Sequence, residues 1–113
     1  MRTAFIQQLM EEAKSNDKIF LLTGDLGYNV VTPFAEQFPD RFINVGICEQ
    51  NMVGIAGGLA MNGYNVYLYS IGNFPTLRCI EQIRNDVCYY SGNVKVASVD
   101  AGFAYGSSGV SRH

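Results

Sequence analysis

The spacing of apolar positions changes repeatedly along this chain, and each change marks an element. Between residues 3 and 14, Phe5, Ile6, Leu9, Met10 and Ala13 recur on one stripe, with Gln8, Glu11, Glu12 and Lys14 opposite. That pattern predicts an amphipathic surface helix, ended by Ser15-Asn16-Asp17. Ile19 to Leu22 is a continuous apolar run, which predicts a strand covered on both faces. The loop Thr23-Gly24-Asp25-Leu26-Gly27 follows, then a short helix over Thr32–Phe38 with Pro33 in its first turn and Pro39-Asp40 as its stop. Phe42 to Val45 predicts a short buried strand that breaks at Gly46. A helix rich in Ala, Gly and Met comes next, with Val53, Gly57 and Ala60 at helical spacing, running to Asn62-Gly63. Tyr64 to Ser70 alternates, Val66 and Leu68 facing one way and Tyr67 and Tyr69 the other, which predicts a third strand. Pro75-Thr76 opens a helix over Leu77–Tyr90 with Ile80, Ile83, Val87 and Tyr90 on its inner stripe, and Val94–Val99 reads as a fourth strand. Ala101 to His113 is rich in Gly and Ser and shows no pattern of a further element.

Helix and strand therefore alternate, with connections too long for hairpins. This predicts right-handed βαβ units: an α/β fold with a parallel sheet and helices on both faces. No linker, repeat or charge block divides residues 1–113, so one domain is expected. The sequence stops in a glycine-rich loop directly after a strand, and a domain incomplete at its carboxyl terminus is the expectation, because the last strand would lack its covering helix.

Composition narrows the partners. Hydrophobic residues make up 48% and charged residues 16%, an apolar balance that suggests part of the surface meets another chain. The net charge of −2, with no basic run, argues against nucleic acid. No apolar run approaches the ~18 residues of a membrane span, and the charges of the first helix exclude a signal peptide. Cys48, Cys79 and Cys88 form no C-x-x-C pair, and with a single His there is no zinc-type ligand set, so no metal site is expected on this chain. Reduced thiols in the cytoplasm are the simplest account.

Candidate chemistry gathers at one place. No phosphate-binding loop, dinucleotide fingerprint or nucleophile elbow is present. What remains is Glu49, a lone carboxylate at the turn between a strand and the helix that keeps Gly54, Gly57 and Gly58. Each of those glycines costs up to ~1 kcal/mol of helix propensity relative to Ala, so another helix, a sheet or a ligand is expected to approach that backbone closely. Glu49 has two readings: a helix-start residue favourable to the dipole, or a proton-exchanging group. An apolar wall raises a carboxyl pKa while a helix N-terminus lowers it, and such a balance suits proton exchange with a heteroaromatic nitrogen. Asp25 reads equally as a ligand contact or a turn former.

The stretches Leu22-Thr23-Gly24-Asp25-Leu26-Gly27, Phe38 through Met52 with its G-I-x-E-Q-N-M core, Tyr69-Ser70-Ile71, Arg78 through Asp86, and Gly102-Phe103-Ala104-Tyr105-Gly106 resemble the pyrimidine-binding domain of transketolases. The similarity runs along essentially the whole chain and is nearest to transketolase-like enzymes whose carboxyl-terminal part is a separate subunit. The resemblance implies thiamine diphosphate as cofactor, with its diphosphate and Mg2+ held by an N-terminal diphosphate-binding subunit or domain. It implies that Glu49 hydrogen-bonds the aminopyrimidine ring and favours its imino form, and that a two-carbon ketol unit passes between sugar phosphates. Phe74 is similar in placement to the aromatic residue that packs on the pyrimidine, and Asp25 and Ile47 to residues bordering the cofactor. Where many transketolases read G-P-T-H, this chain reads Gly109-Val110-Ser111-Arg112, so the substrate contact falls at Arg112 or His113. A homo- or hetero-oligomer is implied. The same domain also serves deoxyxylulose-phosphate synthases and the β-subunits of 2-oxoacid dehydrogenases, and a non-catalytic interaction module would retain the fold; Glu49 discriminates, since a structural module has no need of a carboxyl there.

Overall fold

The computed structural model describes residues 1–112, with side chains described as far as Ser107. Helix α1 spans Arg2–Ser15 and buries Ile6, Leu9 and Ala13, the expected stripe. Strand β1, Ile19–Thr23, is buried at every position, as a central strand between two helical layers must be. Helix α2 covers Thr32–Gln37, and a 3-10 turn over Pro39–Arg41 leads into β2, Phe42–Asn44. Helix α3, Glu49–Met61, is followed by β3, Asn65–Ile71, and β4, Val94–Val99, closes the sheet.

All strands are parallel, in the order β2-β1-β3-β4. The chain leaves β1 toward β2, then crosses back over β1 to β3 and continues outward to β4. Right-handed crossovers running in opposite directions put their helices on opposite faces. One core layer, formed by Ile6, Leu9 and Ala13 of α1 with Leu21, Val31, Phe34 and Tyr69, lies on the α1–α2 face. The other joins Met52, Val53 and Ala56 of α3 to Phe20, Leu22, Val66, Leu68, Cys79 and Val87. Val66 and Leu68 point to the second layer and Tyr67 and Tyr69 to the first, as the alternation predicted.

Three expectations change. Strand β2 is not buried: Ile43 and Asn44 are exposed, because β2 is an outer strand paired only with β1. The helix foreseen over Leu77–Tyr90 is a composite of a 3-10 turn (Leu77–Cys79), a short α-helical turn (Ile80–Gln82) and a π-helical stretch (Ile83–Cys88). Each form winds at a different angle per residue, so a stripe counted at 3.6 residues per turn drifts off the core. Val87 stays buried, whereas Ile80 and Tyr90 turn outward, 64% and 55% exposed. Finally, Gly102–Arg112 adopts a 3-10 helix where no element was expected. Tyr105 ties it back through its hydroxyl, 3.5 Å from Asp100.

The glycines of α3 have unequal reasons. A Cβ on Gly57 would lie 2.4 Å from the carbonyl oxygen of Asp86, so the π-helical stretch packs directly on the α3 backbone. Gly54 is in looser contact with Asp86, and Gly58 faces open space.

Candidate functional site

In an open α/β sheet the crevice forms where the crossovers diverge, at the carboxyl ends of the strands. Here that point lies between β1 and β3, at Gly24 and Ser70. The loops around it are stitched by Asn44 at the end of β2. Its side-chain carbonyl accepts the N–H groups of Asp25 and Gly46, each at 3.0 Å, and its amide donates to Asp25 Oδ1 at 3.3 Å. Val45 N–H donates to Thr23 O at 2.9 Å, carrying the β1–β2 ladder one step further. Gly46 then turns at φ +72°, a left-handed conformation that suits glycine, and redirects the chain back toward the sheet. Cys48 caps the next helix through its backbone carbonyl, which accepts Met52 N–H at 2.9 Å.

The first residue of α3 is Glu49, and its side chain is only 4% exposed. Its carboxylate spans the divergence point: Oε1 accepts from the Ser70 hydroxyl of β3 at 3.4 Å, and a Cβ built on Gly24 of the β1 loop would stand 3.5 Å from the same oxygen. Position 24 therefore lies in van der Waals reach of the carboxylate, the Ser70 hydroxyl and Gly46 O. Oε2 accepts from Arg78 Nη1 at 3.3 Å. The Arg78 guanidinium in turn lies 4.2 Å from the Phe74 ring centroid. The backbone beneath is tied down, since Gln50 Nε2 donates to Arg78 O at 3.0 Å and Arg78 N–H donates to Asn73 O at 3.2 Å. Cys79, fully buried next to Arg78, donates its thiol to Phe74 O at 3.2 Å. Burial pushes that thiol's pKa up, the Glu49 carboxylate pushes it further the same way, and Arg78 opposes both.

A recess of about 270 Å³ opens above Glu49, lined by Ile47, Cys48, Glu49, Gln50, Asn51 and Arg78. Of the residues singled out in the sequence, Glu49 and Ile47 line this recess and Phe74 joins it through Arg78. Ile47 is 80% exposed at its lip. Asp25 lies to one side, in a left-handed turn at φ +55°, bordering a separate recess with Thr23, Leu26, Tyr28 and Val31. The side chain of Arg112 and the whole of His113 lie outside the described residues. Ser70 and Arg78 were not singled out for a role, although both touch the carboxylate. Nothing local marks them: Ser70 ends an alternating strand, and Arg78 sits in a turn whose irregular winding decides where it points.

A parallel α/β sheet with a buried carboxylate at the head of a helix, on the divergence point, defines a half-site: it offers a proton-accepting group and, among the described residues lining the recess, only Arg78 as a cation. The comparisons with known proteins agree with that class. The family described as transketolase, pyrimidine binding domain, matches residues 1–113, and the chain belongs to it. A Methanocaldococcus jannaschii chain described as a transketolase C-terminal section is 40% identical over 112 residues, which is 98% of this chain and 35% of that one. An apulose-4-phosphate transketolase subunit from Phocaeicola vulgatus is 36% identical over 113 residues, 99% of this chain and 36% of that one. Among solved structures, a split-gene transketolase described as an inactive beta4 tetramer superposes with a TM-score of 0.75 at 41% identity, over 86% of this chain and 33% of that chain. The chain thus spans about a third of the length of these relatives.

Proposed function

We propose that this chain is the pyrimidine-binding domain, over residues 1–113, of a thiamine-diphosphate-dependent transketolase-type transferase, and supplies the carboxylate that activates the cofactor. The observation that carries the proposal is Glu49: a carboxylate 4% exposed at the head of α3, against β1 and β3, with one half-exposed cationic partner. Burying a carboxylate costs several kcal/mol unless it is compensated. A residue whose only task is to start a helix gains its few tenths of a kcal/mol in solvent. The residues present fit an aminopyrimidine: a carboxylate oxygen reachable on breaking one 3.3 Å contact, a flat aromatic face at Phe74, and the apolar side chain of Ile47 at the lip.

Thiamine diphosphate, when bound, would supply a carbon acid whose deprotonated form is the nucleophile toward a ketose carbonyl. The task of Glu49 is to hold a proton against the pyrimidine ring nitrogen, so that the exocyclic amine becomes basic. Ser70 orients the other carboxylate oxygen, Phe74 stacks on the ring, and Asp25 steadies the Gly46 turn through Asn44. The diphosphate and Mg2+ belong to an N-terminal diphosphate-binding subunit or domain, in an oligomer. A cytoplasmic location and a sugar-phosphate substrate are part of this proposal; the relatives include transketolase subunits for apulose-4-phosphate, a sugar phosphate, and for 6-deoxy-6-sulfo-D-fructose, a sulfonated sugar. Among the described residues no helix is long and apolar enough to cross a membrane. Relatives at 34% identity are 1-deoxy-D-xylulose-5-phosphate synthases, so the reaction assay includes pyruvate as an alternative donor. Isothermal titration with thiamine diphosphate and Mg2+ tests the division of labour: the full-length subunit carrying this domain binds weakly alone and tightly with its diphosphate-binding partner. Submicromolar binding by the lone subunit overturns it.

A further inference from the structure

Arg78 makes both contacts that the proposed function assigns to the pyrimidine ring. Its guanidinium centre is 4.2 Å from the Phe74 centroid, a stacking distance, and its Nη1 donates to Glu49 Oε2 at 3.3 Å. A guanidinium is planar, with N–H donors along its edge and flat faces that stack on aromatics. An aminopyrimidine presents the same two features: a flat face for the aromatic ring and a polar edge for the carboxylate. Two planar groups cannot occupy one face of Phe74 together, so a cofactor ring that stacks on the face turned toward Glu49 and this position of Arg78 exclude each other.

The side chain is also built to leave. Its backbone is fixed by Gln50 and Asn73, but the side chain itself is 49% exposed. The contact to Glu49 is long beside the ~2.7–2.9 Å of a strong charge-assisted hydrogen bond. Half-exposed ion pairs of this kind are worth little and break readily. For Glu49 the pairing matters more, because it keeps a buried carboxylate compensated.

We propose that Arg78 is a built-in placeholder for the cofactor's pyrimidine ring: it covers Phe74 and caps Glu49 in the cofactor-free subunit, and swings to the surface as thiamine diphosphate enters. This rests on the reading of Glu49 and Phe74 as the pyrimidine site. The placeholder scales apparent cofactor affinity down to the fraction of molecules in which it is open. In return the subunit is stable before its cofactor and partner arrive.

Stopped-flow binding of thiamine diphosphate, with Mg2+, to the assembled two-subunit enzyme tests the placeholder by near-UV circular dichroism. Arg78→Met speeds association about two- to fivefold, the factor a half-exposed cation–aromatic contact represents, and leaves dissociation unchanged. An unchanged or slower association overturns the placeholder, and a faster dissociation makes Arg78 a cofactor ligand instead. A second measurement needs no substitution at Arg78. In the cofactor-free subunit, side-chain NMR finds the rotation of the Arg78 guanidinium hindered, and the hindrance is relieved in Glu49→Gln and on adding cofactor and partner, while Arg41, held by Asn16 O, Ala13 O and the Phe38 face, stays unchanged as a reference; an Arg78 signal that neither change alters overturns the proposal. The two readings fail separately. If Glu49→Gln leaves hydrogen exchange at the bound cofactor's reactive carbon unchanged, the Glu49 assignment falls, whereas normal dependence on Glu49 with no gain from Arg78→Met removes only the placeholder.

Discussion

Two carboxylates stand at the carboxyl edge of this sheet, one at the point where the crossovers diverge and one to the side of it. Asp25, after β1, is exposed in a left-handed turn and spends its hydrogen bonds on Asn44. Glu49, after β2, is 4% exposed and faces Ser70, Arg78 and the close backbone of Gly24. Both follow a strand, and both lie near glycines. The difference is that Asp25 points along the loop and Glu49 begins a helix that drives it back over the sheet. A buried carboxylate with a weakly held partner has something to gain from a ligand; an exposed one satisfied by its own loop does not.

The sharpest way to break this comparison is Glu49→Gln in the assembled enzyme. The two side chains are nearly isosteric, so folding survives, but Gln cannot carry the proton. The rate constant kcat falls by about 10²–10⁴ with little change in KM, measured with a ketose phosphate donor. The same substitution has a readout in the isolated protein. The negative charge of Glu49 helps hold the Cys79 thiol above its ordinary pKa, so its removal lets that thiol ionise at lower pH. An ultraviolet thiolate titration of the Cys48→Ser/Cys88→Ser background follows this shift, and a shift upward contradicts it.

Next in size is the footing of the helix. With Asp86 O 2.4 Å from a Cβ at position 57, Gly57→Ala forces backbone apart and destabilises the fold by about 1–3 kcal/mol in urea unfolding. Gly58→Ala, with open space around it, goes the other way by up to about 1 kcal/mol. Equal effects at the two positions mean that α3 is not pinned where the packing puts it.

Phe74→Ala in the assembled enzyme weakens thiamine diphosphate binding about threefold to tenfold and leaves turnover at saturation nearly intact, as loss of an aromatic contact worth ~0.5–1.5 kcal/mol requires. Unchanged affinity in a titration places the stack elsewhere. The smallest effect belongs to Asp25→Asn. Asn tolerates the left-handed turn and keeps a hydrogen bond to Asn44, so cofactor affinity changes by less than about threefold. A loss in kcat comparable to that of Glu49→Gln erases the distinction between the two carboxylates.

Much of this was legible in the residues. Apolar patterning together with proline and glycine stops placed the four strands and the first three helices: continuous apolar in β1, alternating in β3, striped in α1, bracketed by Pro33 and Pro39 in α2. It failed where winding is irregular. Ile80 and Tyr90 sit correctly for an ideal helix and wrongly for the observed 3-10, α and π succession, whose Asp86 packs against Gly57. β2 reads as buried because its residues are apolar, yet its edge position leaves Ile43 and Asn44 outside.

By itself, then, the sequence determined the layered α/β class and the turn at which Glu49 stands, since both depend on local spacing: a strand, Gly46, and a helix that begins three residues later. The surroundings of Glu49 were decided only in three dimensions. Gly24, Ser70 and Arg78 come from three separate segments, and they meet because the crossover from β2 to β3 passes over β1 and lays the head of α3 between strands far apart in the chain. Burial, hydrogen-bond partners and stacking are pairwise distances between such segments. No periodicity along one segment encodes them.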